Sequence, residues 1–129
     1  MFTRIKFFWS RRPAVSMPRR SKKYFRLHAA QARTLIEEKI SYFNQFYQFE
    51  YKRIAIRNQK TRWGSCSSKK NINFNYKIIF LSDELQNYIV VHELCHLKEL
   101  NHSKRFWALV EQSIPNHAVL RSQLKNTLL

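Results

Sequence analysis

From Tyr24 to about Phe49, apolar residues recur near helical spacing at Leu27, Ala30, Leu35, Ile36, Ile40, Phe43 and Phe46, which predicts one long amphipathic helix. The period then shortens to two. In "YKRIAIRN" (51–58), Ile54 and Ile56 share one face and Arg53, Ala55 and Arg57 the other. "TRWGSCSS" (61–68) is a second strand, and it holds Gly64, the one glycine of the chain, where a bulge or a close backbone approach is expected. "NINFNYKIIF" (71–80) alternates, with Ile72, Phe74, Tyr76, Ile78 and Phe80 inward and Asn71, Asn73, Asn75 and Lys77 outward. The polar residues around Ser68–Asn71 join the last two strands as a hairpin. From Leu85 to Leu100 an apolar run of helical length has no Pro or Gly, so a helix is predicted, capped by Ser82 with Asp83 and Glu84 in its first turn. Ser103 caps a further helix through Val110, Pro115 breaks it, and a short helix closes the chain. The order predicts an α+β fold: a long N-terminal helix, a small antiparallel sheet of about three strands, then helices.

Composition narrows this picture. At 129 residues, 44% hydrophobic and 15% aromatic, the chain makes one globular domain and has no apolar run of membrane-spanning length. Two cysteines, Cys66 and Cys95, are too few for a disulfide framework, and Cys95 reads as a core residue; with no secretory signal evident, a reducing, cytoplasmic home is expected. The net charge of +16 is uneven, since residues 1–36 carry ten Lys or Arg and no acid. We expect residues 1–23 to be a basic, poorly ordered arm and residues 24–129 to be the folded domain. The arm either contacts polyanions such as nucleic acid or is a basic tail without a specific partner.

The candidate chemistry sits in "VVHELCHLKELNHSKRFW" (90–107), which holds three of the five histidines. On a helix His92 and His96 stand one turn apart on one face, and Glu93 lies beside that face, suited to touch a metal-bound water. This H-E-x-x-H arrangement occurs in zinc hydrolases. The helix is apolar nearly all round, so two imidazoles and a carboxylate inside it need a shared partner, which a metal supplies. Asn101 tolerates a left-handed conformation and can end the helix, turning His102 back to the ion. If the helix instead runs on past His102, Glu99 or Glu111 becomes the third ligand.

"RWGSCSSKKNINFN" followed by "VVHELCHLKELNHSKRFW" resembles the YgjP-like metallopeptidase domain, a small zincin-type family, over roughly residues 24–129. The resemblance implies a zincin fold and a zinc site with His92, His96 and His102 as ligands and Glu93 as catalytic carboxylate. Larger members resembling this chain carry an additional N-terminal β-rich region, in whose place stands the basic arm. The spacing also matches the metzincin pattern, except that Glu99 replaces its glycine.

Three functions follow. A zinc metallopeptidase would use a zinc-activated water with Glu93 as proton acceptor. Its oxyanion would need a second donor, for which Tyr76, Asn73 and Arg62 are candidates that also suit structural roles. A nucleoside triphosphate pyrophosphatase would use Arg57, Lys60 and Arg62 on the phosphates. A non-catalytic, zinc-stabilised nucleic-acid module would leave Glu93 idle and would want a fourth ligand, for which Cys66 is available.

Overall fold

The computed structural model describes residues 22–127 and Leu129. Residues 1–21, nearly all of the expected basic arm, lie outside the described residues; Lys22 and Lys23 open the first helix, α1 (Lys22–Tyr47). Ala32, Ile36 and Ile40, spaced four apart, are its buried stripe, and Phe43 and Tyr47 continue it against the core. Gln48 ends the helix in the left-handed region (φ 55°), donating its N–H to the Asn44 carbonyl. The Asn44 side chain accepts the N–H of Phe49 and donates to its carbonyl, each at 2.9 Å.

Three strands follow: β1 (Arg53–Arg57), β2 (Gly64–Cys66) and β3 (Asn71–Asn75), in the spatial order β1-β3-β2. The β2–β3 hairpin forms as predicted, closed by the Lys70 N–H on the Ser67 carbonyl, with Lys70 at φ 66°. The all-antiparallel expectation is corrected, because β1 pairs parallel to β3. Ile72 and Phe74 leave β3 the most deeply buried strand, so it takes the centre, while β1, with no residue fully buried, takes an edge. Residues 58–70 then serve as the crossover that a parallel pair requires.

The expected ten-residue strand 71–80 also divides. After Asn75 the chain becomes a 3-10 helix, Tyr76–Phe80, and Asn75 and Lys77 are buried rather than outward. Asn75 is the cause. Its side-chain oxygen accepts the Lys77 N–H at 3.0 Å, while its amide donates to the carbonyls of Gln59 (2.8 Å) and Arg62 (3.0 Å). Such a local side-chain bond offers the backbone an alternative to the ladder, and here it wins.

Helix α2 (Asp83–His96) is capped by Ser82, whose hydroxyl accepts the Leu85 N–H, with Asp83 and Glu84 in the first turn as predicted. Leu85, Ile89, Val90, Val91, Leu94 and Cys95 bury it on nearly every side, against Ile36, Ile40, Ile72 and Phe74. It ends at His96, earlier than Leu100, through bonds from the N–H groups of Leu97, Lys98 and Glu99 to the Leu94 and Cys95 carbonyls. Asn101 has no left-handed conformation, so it is not the stop signal expected of it. Helix α3 (Lys104–Ser113) is capped by Ser103, and α4 (His117–Lys125) follows Pro115. The Tyr47 hydroxyl donates to the Leu109 carbonyl at 2.6 Å, tying α1 to α3. No helix among the described residues is long and apolar enough to cross a membrane.

Candidate metal centre

Two histidines come from the last turns of α2 and the third from the loop before α3. The Nε2 atoms of His92, His96 and His102 lie 3.1 Å from one another in all three pairings. Their burial grades from His96, which is buried, to His102, which is exposed. Glu99 and Glu111, the alternative third ligands, are not in this group, and neither is Cys66. Glu99 contributes its backbone instead. Its carbonyl lies 3.0 Å from His96 Nδ1, and since a carbonyl only accepts, that nitrogen carries the proton and leaves Nε2 a bare lone pair. The Tyr88 hydroxyl stands 3.4 Å from His92 Nδ1.

Aromatic rings hold the three imidazoles in place. Phe106, fully buried at the start of α3, has its centroid 4.3 Å from that of His96, 4.9 Å from His92 and 5.0 Å from His102. Trp107 stacks on His102 at 5.8 Å and on His117 at 5.1 Å, and Arg121 lies over it at 5.2 Å. The sequence motif contains Phe106 and Trp107 but gives them no role. The signal was their distance from His102, four and five residues, which a capped helix folds back under the ligand loop.

The donor set fits a metal ion. Three imidazole nitrogens 3.1 Å from one another are a donor set suited to a metal ion, and His92, His96 and His102 would be the residues that hold it. Burial pushes the His92 imidazole down to about 3, helped by His96, His102 and Arg121. His96 is lowered too, first by burial. Neutral rings at neutral pH keep their lone pairs for an ion.

Glu93 is buried on α2 beside this group, and burial pushes its carboxyl up to about 8 against the opposing charge of Arg62. Gly64 of β2 lies directly against it, which is the close approach foreseen for the one glycine. The other residues singled out are dispersed. Asn73 bonds Ser65 and Arg57 within the sheet. Tyr76 packs on Phe25 and Phe80, with its hydroxyl buried. Arg57 and Lys60 are exposed on β1 and the loop after it.

A family model described as "YgjP-like, metallopeptidase domain" matches residues 9–127. Among solved structures, the metallopeptidase zymogen of Pyrococcus abyssi abylysin superposes with a TM-score of 0.64 at 23% identity, covering 73% of this chain and 99% of that one. The metallopeptidase zymogen of Methanocaldococcus jannaschii jannalysin gives 0.56 at 23% identity, covering 74% and 94%. At that identity the likeness speaks for the fold, which is zincin-like. No curated protein matches the chain by sequence. The family match describes a peptidase domain, and neither phosphate-anhydride hydrolysis nor a nucleic-acid module finds support in it.

Proposed function

We propose that this chain, which belongs to the YgjP-like metallopeptidase family, is a zinc-dependent peptidase in which His92, His96 and His102 hold the metal and Glu93 moves the proton. The observation that carries the reading is the convergence of three imidazole Nε2 atoms at 3.1 Å, with a buried carboxylate on the same helix beside them. Three histidines and no cysteine match catalytic rather than structural zinc sites, which close with four protein ligands. Bound there, zinc would supply Lewis acidity and bring the acidity of water toward neutral pH.

The remaining work falls to the chain. The Glu99 carbonyl fixes the tautomer of His96, so its lone pair points at the cluster. Phe106 and Trp107 keep His102, which sits on an exposed loop, in register with the two helical ligands. Glu93 accepts a proton from the attacking water at its carboxylate and returns it to the departing amine nitrogen. Gly64 keeps β2 close behind that carboxylate, which limits where it can swing.

The test is a set of internally quenched peptides offered to the zinc-loaded full chain and to Glu93→Gln. Glu93→Gln keeps the size of the side chain and removes its basicity, so it should retain one zinc per chain while turnover drops by about two orders of magnitude or more. Wild-type turnover in Glu93→Gln with zinc still bound would defeat the proposal.

A further inference from the structure

Resting on the peptidase reading above, we propose that the site selects acidic peptides, drawing a carboxylate side chain near the scissile bond to Arg121, which lies over the Trp107 ring beside two of the histidines, and to Arg62, whose backbone is pinned two residues before the Gly64–Glu93 contact. Arg62 lies one residue before the end of the loop between β1 and β2. That loop is pinned: the buried Asn75 donates its side-chain amide to the carbonyls of Gln59 and Arg62, and its backbone N–H to the carbonyl of Trp63 at 2.8 Å. Two residues later Gly64 lies against Glu93, so the anchor of Arg62 is fixed relative to the catalytic carboxylate.

Arg121 arrives from α4. Its guanidinium stands 5.2 Å from the centre of the Trp107 ring, whose own centre is 5.8 Å from His102 and 5.9 Å from His92. Both arginines are exposed, and neither has a carboxylate partner among the described residues, where the ion pairs are Arg33–Glu37 and Lys39–Asp83. Held over Trp107, the Arg121 fork is ordered in advance, which lowers the cost of ordering it on a ligand. A guanidinium presents paired donors that match a carboxylate, and covering it with substrate strengthens the pair by excluding water. Peptides with lysine or arginine at the same positions meet two uncompensated cations and are disfavoured.

Quenched peptides sharing one scissile pair, with Asp or Glu, Asn or Gln, or Lys flanking it, test this on the zinc-loaded full chain. Acidic peptides should exceed neutral ones in kcat/KM by roughly five- to tenfold, with Lys peptides lowest, and the spread should narrow as salt is added. In Arg62→Gln/Arg121→Gln the acidic-to-neutral ratio should collapse toward one. Lys22→Gln/Lys23→Gln, which removes two cations from the start of α1, should keep it. Fluorescence anisotropy of labelled peptides on the zinc-loaded Glu93→Gln chain gives the same comparison without turnover. Equal affinity for acidic and neutral peptides, or an equal loss in the Lys22/Lys23 variant, overturns the inference, because attraction would then come from net charge alone. If no peptide is cleaved while acidic ones still bind preferentially through the two arginines, the peptidase reading falls and the selection stands.

Discussion

Gly64 and Glu93 are in contact across the β2–α2 interface: a methyl group on Gly64 would stand 3.0 Å from both Cγ and Oε2 of Glu93, and 3.0 Å from the Asn73 carbonyl. Gly64 does not have a positive φ, so the glycine is there for space and not for backbone freedom. The Asn73 carbonyl belongs to the central strand and cannot retreat, whereas the Glu93 side chain can rotate. Gly64→Ala should therefore displace the carboxylate first. We expect zinc content to be kept, stability to fall by about 1–2 kcal/mol, and kcat to fall at least roughly tenfold. Wild-type kcat in Gly64→Ala, measured on any cleaved peptide, would show that Glu93 tolerates the displacement.

Asn75 should be among the most sensitive positions away from the histidine group. It has no exposed surface and satisfies the carbonyls of Gln59 and Arg62 and the N–H of Lys77. Asn75→Ala should cost about 2–4 kcal/mol in denaturant unfolding, because one buried and two partly buried backbone groups lose their partner together. Asn75→Asp should be no milder, since it keeps the acceptor but sets a second oxygen against two carbonyls. A loss under 1 kcal/mol in Asn75→Ala would mean that water replaces the amide.

Asn75 also marks where the sequence stopped being legible. Alternation from Ile72 to Phe80 is a period-2 signal, and Tyr76 and Ile78 are buried as that signal requires, yet they are buried in a 3-10 helix. The turn depends on carbonyls of Gln59 and Arg62, more than ten residues away, which no local pattern contains. The parallel β1–β3 pairing is hidden for the same reason, as strand order is a tertiary outcome. The histidine group was readable because two members sit one helical turn apart and a serine cap fixes the helix after the third. The stop of α2 was misplaced because it ends by repeated bonds to Leu94 and Cys95 carbonyls, with no glycine or left-handed residue to announce it.

Lys39 links α1 to the first turn of α2, with Nζ 2.6 Å from both Asp83 Oδ1 and Asn87 Oδ1. The bond to Lys39 holds the Asp83 carboxyl below its ordinary value, with burial opposing it. A depressed carboxyl contributes stability above its unfolded value of 3.8, and that contribution disappears as pH falls through the folded value. Asp83 is largely exposed, so the screened contribution is about 0.5 kcal/mol. Asp83→Asn should lower stability by that amount at pH 7, and the gap from wild type should close on acidification below pH 4. A gap that persists at pH 2 would assign the effect to packing.

Metal removal should be the largest single perturbation. Without an ion, three imidazole nitrogens face one another at 3.1 Å, and at most one proton can serve each contact. A ligand present at a thousand times its dissociation constant stabilises a fold by about 4 kcal/mol, so chelation should lower Tm by roughly 10 °C or more. The three histidines should not respond alike. His92→Ala and His96→Ala remove members fixed by α2 and by contacts to Tyr88 and Glu99, and each should abolish tight zinc binding. His102 approaches from a loop and is positioned by Phe106 and Trp107 rings alone among its described contacts outside the group, so His102→Ala should weaken binding severely while water fills its place. Zinc titration by calorimetry of these variants, beside Glu99→Ala and Glu111→Ala, decides the assignment. Stoichiometric tight zinc in His102→Ala, with loss in either glutamate variant, would move the third ligand to that carboxylate.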